Sequence, residues 1–182
     1  MRVFAGLPIA EGVIPNLLGA IDYLKQNYPD MSFIKSQGMH ITIHFFGEIG
    51  EKETFELIRL MDDPFLKISK IKAKIGKIGS FPARGNPKVV FAALEEGVND
   101  IAVYNKTFHD VVSRLGFEED KKEEFVPHIT LARNKGARIE NGFLKRIPLE
   151  KVSFFFDRIV LYKSVLKPTG AEYSALKTVF FD

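Results

Sequence analysis

His40-Ile41-Thr42-Ile43 and His128-Ile129-Thr130-Leu131 are two copies of one pattern, His-x-Thr-x, 88 residues apart in a chain of 182. The chain has only four histidines, and two of them head these tetrapeptides. Both segments are rich in β-branched residues, which suit a pleated strand better than a helix. On a strand, residues i and i+2 share a face. His40 and Thr42 therefore point one way, Ile41 and Ile43 the other, and the second copy repeats the arrangement. Each strand offers an apolar side to a core and an imidazole-plus-hydroxyl side to a cleft.

The surrounding sequence repeats with the motif. Arg2-Val3-Phe4-Ala5-Gly6-Leu7 is echoed by Val89-Val90-Phe91-Ala92-Ala93-Leu94, with Phe4 and Phe91 offset by 87. A strand ending at Phe81-Pro82 resembles one ending at Lys167-Pro168, offset by 86. Chance similarity among apolar strands is the competing explanation of these echoes, and the paired motifs weigh against it. The spacing, close to half the chain, predicts one repeat per lobe. The two lobes are then related by an approximate two-fold axis and interleaved within one domain spanning 1–182.

Composition narrows the function classes. At 46% hydrophobic and 27% charged, the chain has the balance of an ordinary globular protein with room for a sizeable core. It has no cysteine, so disulfide scaffolds and thiol-ligated metals are excluded and a cytoplasmic location is expected. No apolar run reaches the roughly 18 residues of a membrane span, and the short start before Pro8 does not read as a signal peptide. A net charge of +3 permits an acidic partner such as RNA without requiring one. Among 17 phenylalanines most belong to the core, with one or two available to stack on a base.

Read in order, the chain predicts a strand at Val3–Leu7 and a helix over Glu11–Asn27, with the stripe Ile14, Leu17, Leu18, Ile21 and Leu24. A short strand at Met31–Ile34, the His40 strand and a helix over Glu51–Met61 follow. Ile68–Ile78 alternates apolar residues with lysines, a half-exposed strand whose lysines are read as a solvated face rather than a phosphate track. Gly79–Lys88 is a loop carrying Arg84. Val89–Leu94 is a strand, and Val98–Leu115 a helix that carries His109 and stops at Gly116. His109 is read as a surface or structural histidine. Glu118–Glu124 is a charged loop. After the His128 strand, Ala137–Arg146 is read as a short helix, and Val152–Tyr162 and Tyr173–Phe181 as the last two strands.

Two imidazoles and two hydroxyls without an acid cluster suit phosphoryl transfer without metal. One imidazole takes the proton of the attacking oxygen, and the other gives a proton to the leaving oxygen across phosphorus. The threonine hydroxyls donate to the non-bridging oxygens as charge builds there. Imidazole, with an ordinary pKa of about 6.5, can fill either role near neutrality.

At this point the chain resembles the two-histidine phosphoesterases, and within them the RNA 2′,3′-cyclic phosphodiesterases long called 2′-5′ RNA ligases. The resemblance rests on the two motifs, on Phe45 to Glu48, on Phe81-Pro82 with Gly85, Pro87 and Val89, and on Gly116-Phe117. Pro127 to Arg133 and Leu166 to Tyr173 complete it. It implies an α+β bilobal fold around a V-shaped cleft, with an antiparallel sheet and flanking helices in each lobe. It implies hydrolysis of terminal 2′,3′-cyclic phosphates to 2′-phosphates and weak, ATP-independent joining of tRNA halves. By family usage His40 is the proton donor to the leaving 3′ oxygen and His128 the base that activates water. The expected partner is RNA or an oligonucleotide with a cyclic phosphate end, bound by a monomer without cofactor or metal.

Three basic residues are candidates for substrate binding. Arg133 matches the family's basic residue after the second motif. Arg84 sits in a loop expected at the cleft. His44 stands where the family usually carries Arg or Lys after the first motif. It shares the strand face of His40, about 13 Å further along. A lobe-surface histidine is the alternative for His44, and a helical metal pair with His40 is disfavoured by the β-branched setting. Two rival functions remain at this level. One is a non-catalytic nucleotide- or RNA-binding module. The other is a phosphodiesterase on ADP-ribose cyclic phosphate or 2′-5′ oligoadenylate.

Overall fold

Period-two runs become strands and helical stripes become helices over most of the chain. The computed structural model describes residues 1–117, 124–167 and 170–182. The first half contains β1 (Arg2–Pro8), α1 (Ile14–Asn27), β2 (Ser32–Phe33), β3 (His40–Glu48), α2 (Glu51–Leu60) and β4 (Ile71–Phe81). The second half contains β5 (Val89–Glu96), α3 (Val98–Val112), β6 (His128–Arg133), β7 (Ser153–Phe156), β8 (Arg158–Lys167) and β9 (Gly170–Phe180).

The strands form two antiparallel sheets, ordered β3-β1-β8-β9 and β2-β6-β5-β4-β7. The α+β expectation holds, and the echoed segments occupy matching places. Each His strand lies beside its apolar echo, β3 beside β1 and β6 beside β5, and the third strand is β8 or β4. The strands β3 and β6 approach within 8 Å, Cα to Cα.

The helices cross between sheets. Helix α1 follows β1 of the first sheet and lies against β6 of the second, while α3 follows β5 of the second sheet and reaches β3 of the first. Leu17, Ile21 and Leu24 of α1 are fully buried, each stabilising the fold by about 1.5–3 kcal/mol relative to an exposed position. On α3 the buried face is Ile101, Tyr104, Asn105, Phe108, Val111 and Val112. Its final turn, Ser113–Leu115, tightens to a 3-10 helix, and Gly116 (φ 82°) ends it in the left-handed region that glycine tolerates.

Several sequence expectations are corrected. Val152–Tyr162 is two strands, broken at Asp157. Strand β7 pairs with β4 at the edge of the second sheet, while β8 pairs with β1 in the first. The run Phe154-Phe155-Phe156 leads into Ile159-Val160-Leu161 with only Asp157-Arg158 between, so apolar patterning hides the crossing. Ala137–Arg146 is not an α-helix but irregular chain ending in a 3-10 turn, Phe143–Arg146. Gly142 (φ 81°) interrupts any helical run. Gly79–Phe81 belongs to β4, which shortens the following loop to residues 82–88. The charged run expected at Glu118–Glu124 falls mainly on residues 118–123, outside the described residues, and Pro168 and Thr169 lie outside them too. Two of the three β4 lysines meet carboxylates, as a solvated face should. Lys72 pairs with Glu96, and Lys74 with Glu95 and Glu96.

Candidate active site

The two His strands carry the same irregularity. In the β1–β3 ladder Ala5 pairs with His44 and Gly6 with Thr42, leaving Ile43 as an extra residue. In the β5–β6 ladder Val90 pairs with Ala132 and Phe91 with Thr130, leaving Leu131 extra. A bulge of this kind reverses the alternation of faces beyond it. Both bulge carbonyls are satisfied by other segments. Asn105 Nδ2 of α3 donates to Ile43 O at 2.7 Å, and Ile34 N–H donates to Leu131 O at 2.9 Å.

This reversal overturns the expected placement of His44. His44 does not share the cleft face with His40. It is 7% exposed and turned toward α3, with its Nδ1 3.2 Å from His109 Nδ1 and its ring against Phe46. Burial, and secondarily the charge of His109, lowers its pKa to about 4. Phe45 takes the cleft face instead, at the position equivalent to Arg133. The Arg2 guanidinium lies 4.8 Å from the Phe45 ring centroid.

A cavity of about 300 Å³ lies between the sheets. His40, Thr42, Thr130 and Arg133 line it, together with Arg2, Phe4, Phe45, Ser164 and Tyr173. The expected residues His40, Thr42, Thr130 and Arg133 are thus brought together. His128 does not wall this cavity. It is two residues from Thr130 on the same strand face, and its charge acts on His40. Arg84 is exposed on the loop after β4 and does not line the cavity. Arg2 is a lining cation that the motif-based reading missed. Its only signal was its place ahead of the echoed Val3-Phe4 segment.

Each histidine is held in the same way. His40 Nδ1 is 2.7 Å from Gly38 O, and His128 Nδ1 is 2.7 Å from Val126 O. A carbonyl only accepts, so Nδ1 carries the proton in both rings and the neutral form leaves Nε2 as the acceptor. His40 Nε2 is 3.1 Å from Thr42 Oγ1. The echoed phenylalanines brace these rings. Phe4 stacks on His40 at 4.7 Å, and Phe91 lies 5.1 Å from His128, where Phe81 adds an edge contact at 5.0 Å. Two glycines make room for this bracing. A Cβ on Gly6 would stand 3.1 Å from the His40 ring, and one on Gly79 would stand 2.6 Å from the Phe91 ring.

Burial lowers the pKa of His40 to about 4, opposed by the Gly38 carbonyl and reinforced by the charges of His128 and Arg133. His128 is also lowered, first by burial and also by Arg133, against the Val126 carbonyl. Both shifts favour the neutral imidazole. An anion entering between Arg2 and Arg133 favours the imidazolium form and draws a proton in with it. Among the described residues no three His, Cys, Asp or Glu side chains gather to hold a metal ion.

A sequence model of the 2′-5′ RNA ligase superfamily matches residues 15–167, which includes both motifs. The chain belongs to the 2′-5′ RNA ligase superfamily. Two relatives match nearly the whole chain at low identity. A protein of Methanocaldococcus jannaschii called RNA 2′,3′-cyclic phosphodiesterase is 28% identical over 181 residues, covering 97% of this chain and 99% of the relative. A Thermotoga maritima protein with the same description is 25% identical over 183 residues, covering 100% of this chain and 96% of the relative. The superfamily fold recurs in the crystal structure of TT0787 of Thermus thermophilus, with a TM-score of 0.85 and 26% identity over 99% of this chain and 97% of that one. Escherichia coli LigT complexed with 3′-AMP shares the fold with a TM-score of 0.77 at 18% identity, over 99% and 97% of the two chains. No helix among the described residues is long and apolar enough to cross a membrane.

Proposed function

We propose that the chain hydrolyses the 2′,3′-cyclic phosphate at an RNA 3′ end to a 2′-phosphate, using His128 as general base and His40 as general acid. The observation that carries this reading is the matched clamping of the two rings. Each Nδ1–H is fixed on the carbonyl two residues upstream, which leaves each Nε2 for chemistry. In the forward step a water loses its proton to His128 Nε2 and its oxygen bonds to phosphorus. The P–O3′ bond breaks, and O3′ takes its proton from His40 Nε2. Thr42 and Thr130 donate to the non-bridging oxygens, while Arg133 and Arg2 offset the charge. A 5′-hydroxyl in place of the water gives a 2′-5′ linkage without ATP. Both His-Thr pairs come from one chain, which supports a monomer as the working unit, and the absence of cysteine supports a cytoplasmic setting.

A deep-seated His40 suits the acid. Once an anion has drawn a proton onto it, a desolvated imidazolium releases that proton readily. The test is turnover of a panel of RNA ends and small cyclic nucleotides, with the product examined by phosphorus NMR. A 2′-phosphate is expected. A 3′-phosphate product would reverse the identity of the leaving oxygen, and no turnover of any cyclic phosphate would end the reading.

Two outcomes concern conditions. Turnover in excess EDTA is expected to match that in untreated enzyme. Loss of activity restored by zinc or manganese would replace the acid–base scheme with metal catalysis. The pH profile follows from the lowered pKa values. The reactive form has one imidazole protonated and one neutral. In the free enzyme both titrate below the ordinary 6.5, so the alkaline limb of kcat/KM should fall below pH 6.5. Bound phosphodiester raises the imidazole pKa, so the alkaline limb of kcat should lie at higher pH than that of kcat/KM. Coincident limbs above pH 6.5 would contradict it.

A further inference from the structure

The cavity at His40 opens into two further hollows that continue away from it. The next section, about 550 Å³, shares Ile34, Gly38, Arg133, Leu166 and Tyr173 with the first. The last, about 710 Å³, shares Phe33, Lys35, Gln37 and Lys167 with the second. Together they form one groove, running from the His40 end between the segment around β2 and the β8–β9 hairpin. Five cations line its outer two sections, namely Lys25, Lys35, Arg133, Lys135 and Lys167, against one carboxylate, Glu172. That excess of four exceeds the net +3 of the whole chain, so the remainder carries no positive surplus. Lys167 is paired with Glu172 at 2.6 Å and Lys25 with Asp22 at 3.6 Å. Lys35 and Lys135 are exposed; neither makes a direct ion pair among the described residues, although the Lys35 charge acts on Glu172 from a distance. Lys72 and Lys74 of β4 contrast with them, being matched to glutamates across the sheet. An aromatic ring also belongs to the groove. Phe33 lines both outer sections, with the Lys25 ammonium 5.5 Å from its centroid.

We propose that this groove holds the single-stranded RNA leading to the reacting end, with Lys35 and Lys135 on backbone phosphates and Phe33 as a platform for a base. The inference rests on the phosphodiesterase reading for which end sits at His40. A 2′,3′-cyclic phosphate terminates a strand at its 3′ side, so the chain must leave the cavity in the 5′ direction, and this groove provides the charge and the stacking surface for it. A positive track with an interleaved aromatic side chain is the arrangement that holds single strands with little base preference.

The test compares binding of a labelled six-nucleotide RNA ending in a 2′-phosphate with binding of the mononucleotide bearing the same end. The hexamer is expected to bind at least about tenfold more tightly near 0.15 M salt. The K35Q/K135Q variant should lose about tenfold of hexamer affinity. Its log–log salt slope should become shallower by about 1.4, the share of two phosphates on a single strand. Hydrolysis of a mononucleoside 2′,3′-cyclic phosphate by that variant should be unchanged. Equal affinity for hexamer and mononucleotide, or hexamer binding unaltered in the variant, overturns the groove. So does polyglutamate binding as tightly as RNA in wild type, because the platform would then contribute nothing. If wild type hydrolyses neither the mononucleoside cyclic phosphate nor a hexamer ending in one, but holds the hexamer in a Lys35- and Lys135-dependent way, the phosphodiesterase reading fails and the groove stands.

Discussion

Replacing His40 or His128 by alanine should slow opening of a cyclic phosphate by about 10²–10⁴-fold, the range for a positioned acid or base. Substrate binding should weaken far less, because the lost proton transfer belongs to the transition state. Both rings are held by a carbonyl on Nδ1 and braced by phenylalanine, so each enters the reaction already oriented. Removing one ring leaves Arg133, Arg2 and the threonines to bind phosphate. The two roles separate with a substrate whose leaving 3′ oxygen is replaced by sulfur. A thiolate leaves with little need of a proton, so this substrate should restore the rate of H40A and not that of H128A. Restoration of H128A alone would exchange the roles. Restoration of neither would make the histidines phosphate ligands rather than proton carriers.

The motif strands, their polar faces and the echo of β1 in β5 were all legible in the sequence. The echo also had a local meaning that periodicity alone did not state, since Phe4 and Phe91 are the rings that brace His40 and His128. What the sequence concealed were departures from regular geometry. The bulges at Ile43 and Leu131 fall on ordinary aliphatic residues, with no glycine at either position to mark them. A strand read without a bulge places His44 in the cleft, and the real one places Phe45 there. The tautomer lock was equally hidden, because its acceptors are the backbone carbonyls of Gly38 and Val126, which residue identity does not reveal. Arg2 reaches the cavity from β1, a neighbour to β3 in space and distant from it in sequence. Asp157 marked the passage between sheets only weakly, because apolar residues on both sides continue the pattern.

The threonine hydroxyls should matter almost as much as the imidazoles. Thr42→Val and Thr130→Val preserve shape and remove only the donor, and each should cost about 2.7–4 kcal/mol if the hydroxyl acts on a developing oxyanion. That corresponds to roughly 10²–10³-fold in rate, falling mainly on kcat because the charge on the free oxygens grows in the transition state. The two variants should nonetheless differ in one respect. Thr42 Oγ1 lies 3.1 Å from His40 Nε2, so its hydroxyl can donate to the neutral ring and disfavour the charged one. Removing that donor should move the alkaline limb of kcat/KM to higher pH in T42V. A hydroxyl that acts only on the phosphate leaves the limb in place, which is the result expected for T130V. Serine at either position, keeping the hydroxyl, should restore most of the rate. Val variants within threefold of wild type would remove the threonines from the chemistry and leave phosphate charge to Arg133 and Arg2. An equal shift of the limb in both variants would instead mean that each threonine donates to the histidine of its own strand, extending the matched geometry of the two motifs to their hydroxyls.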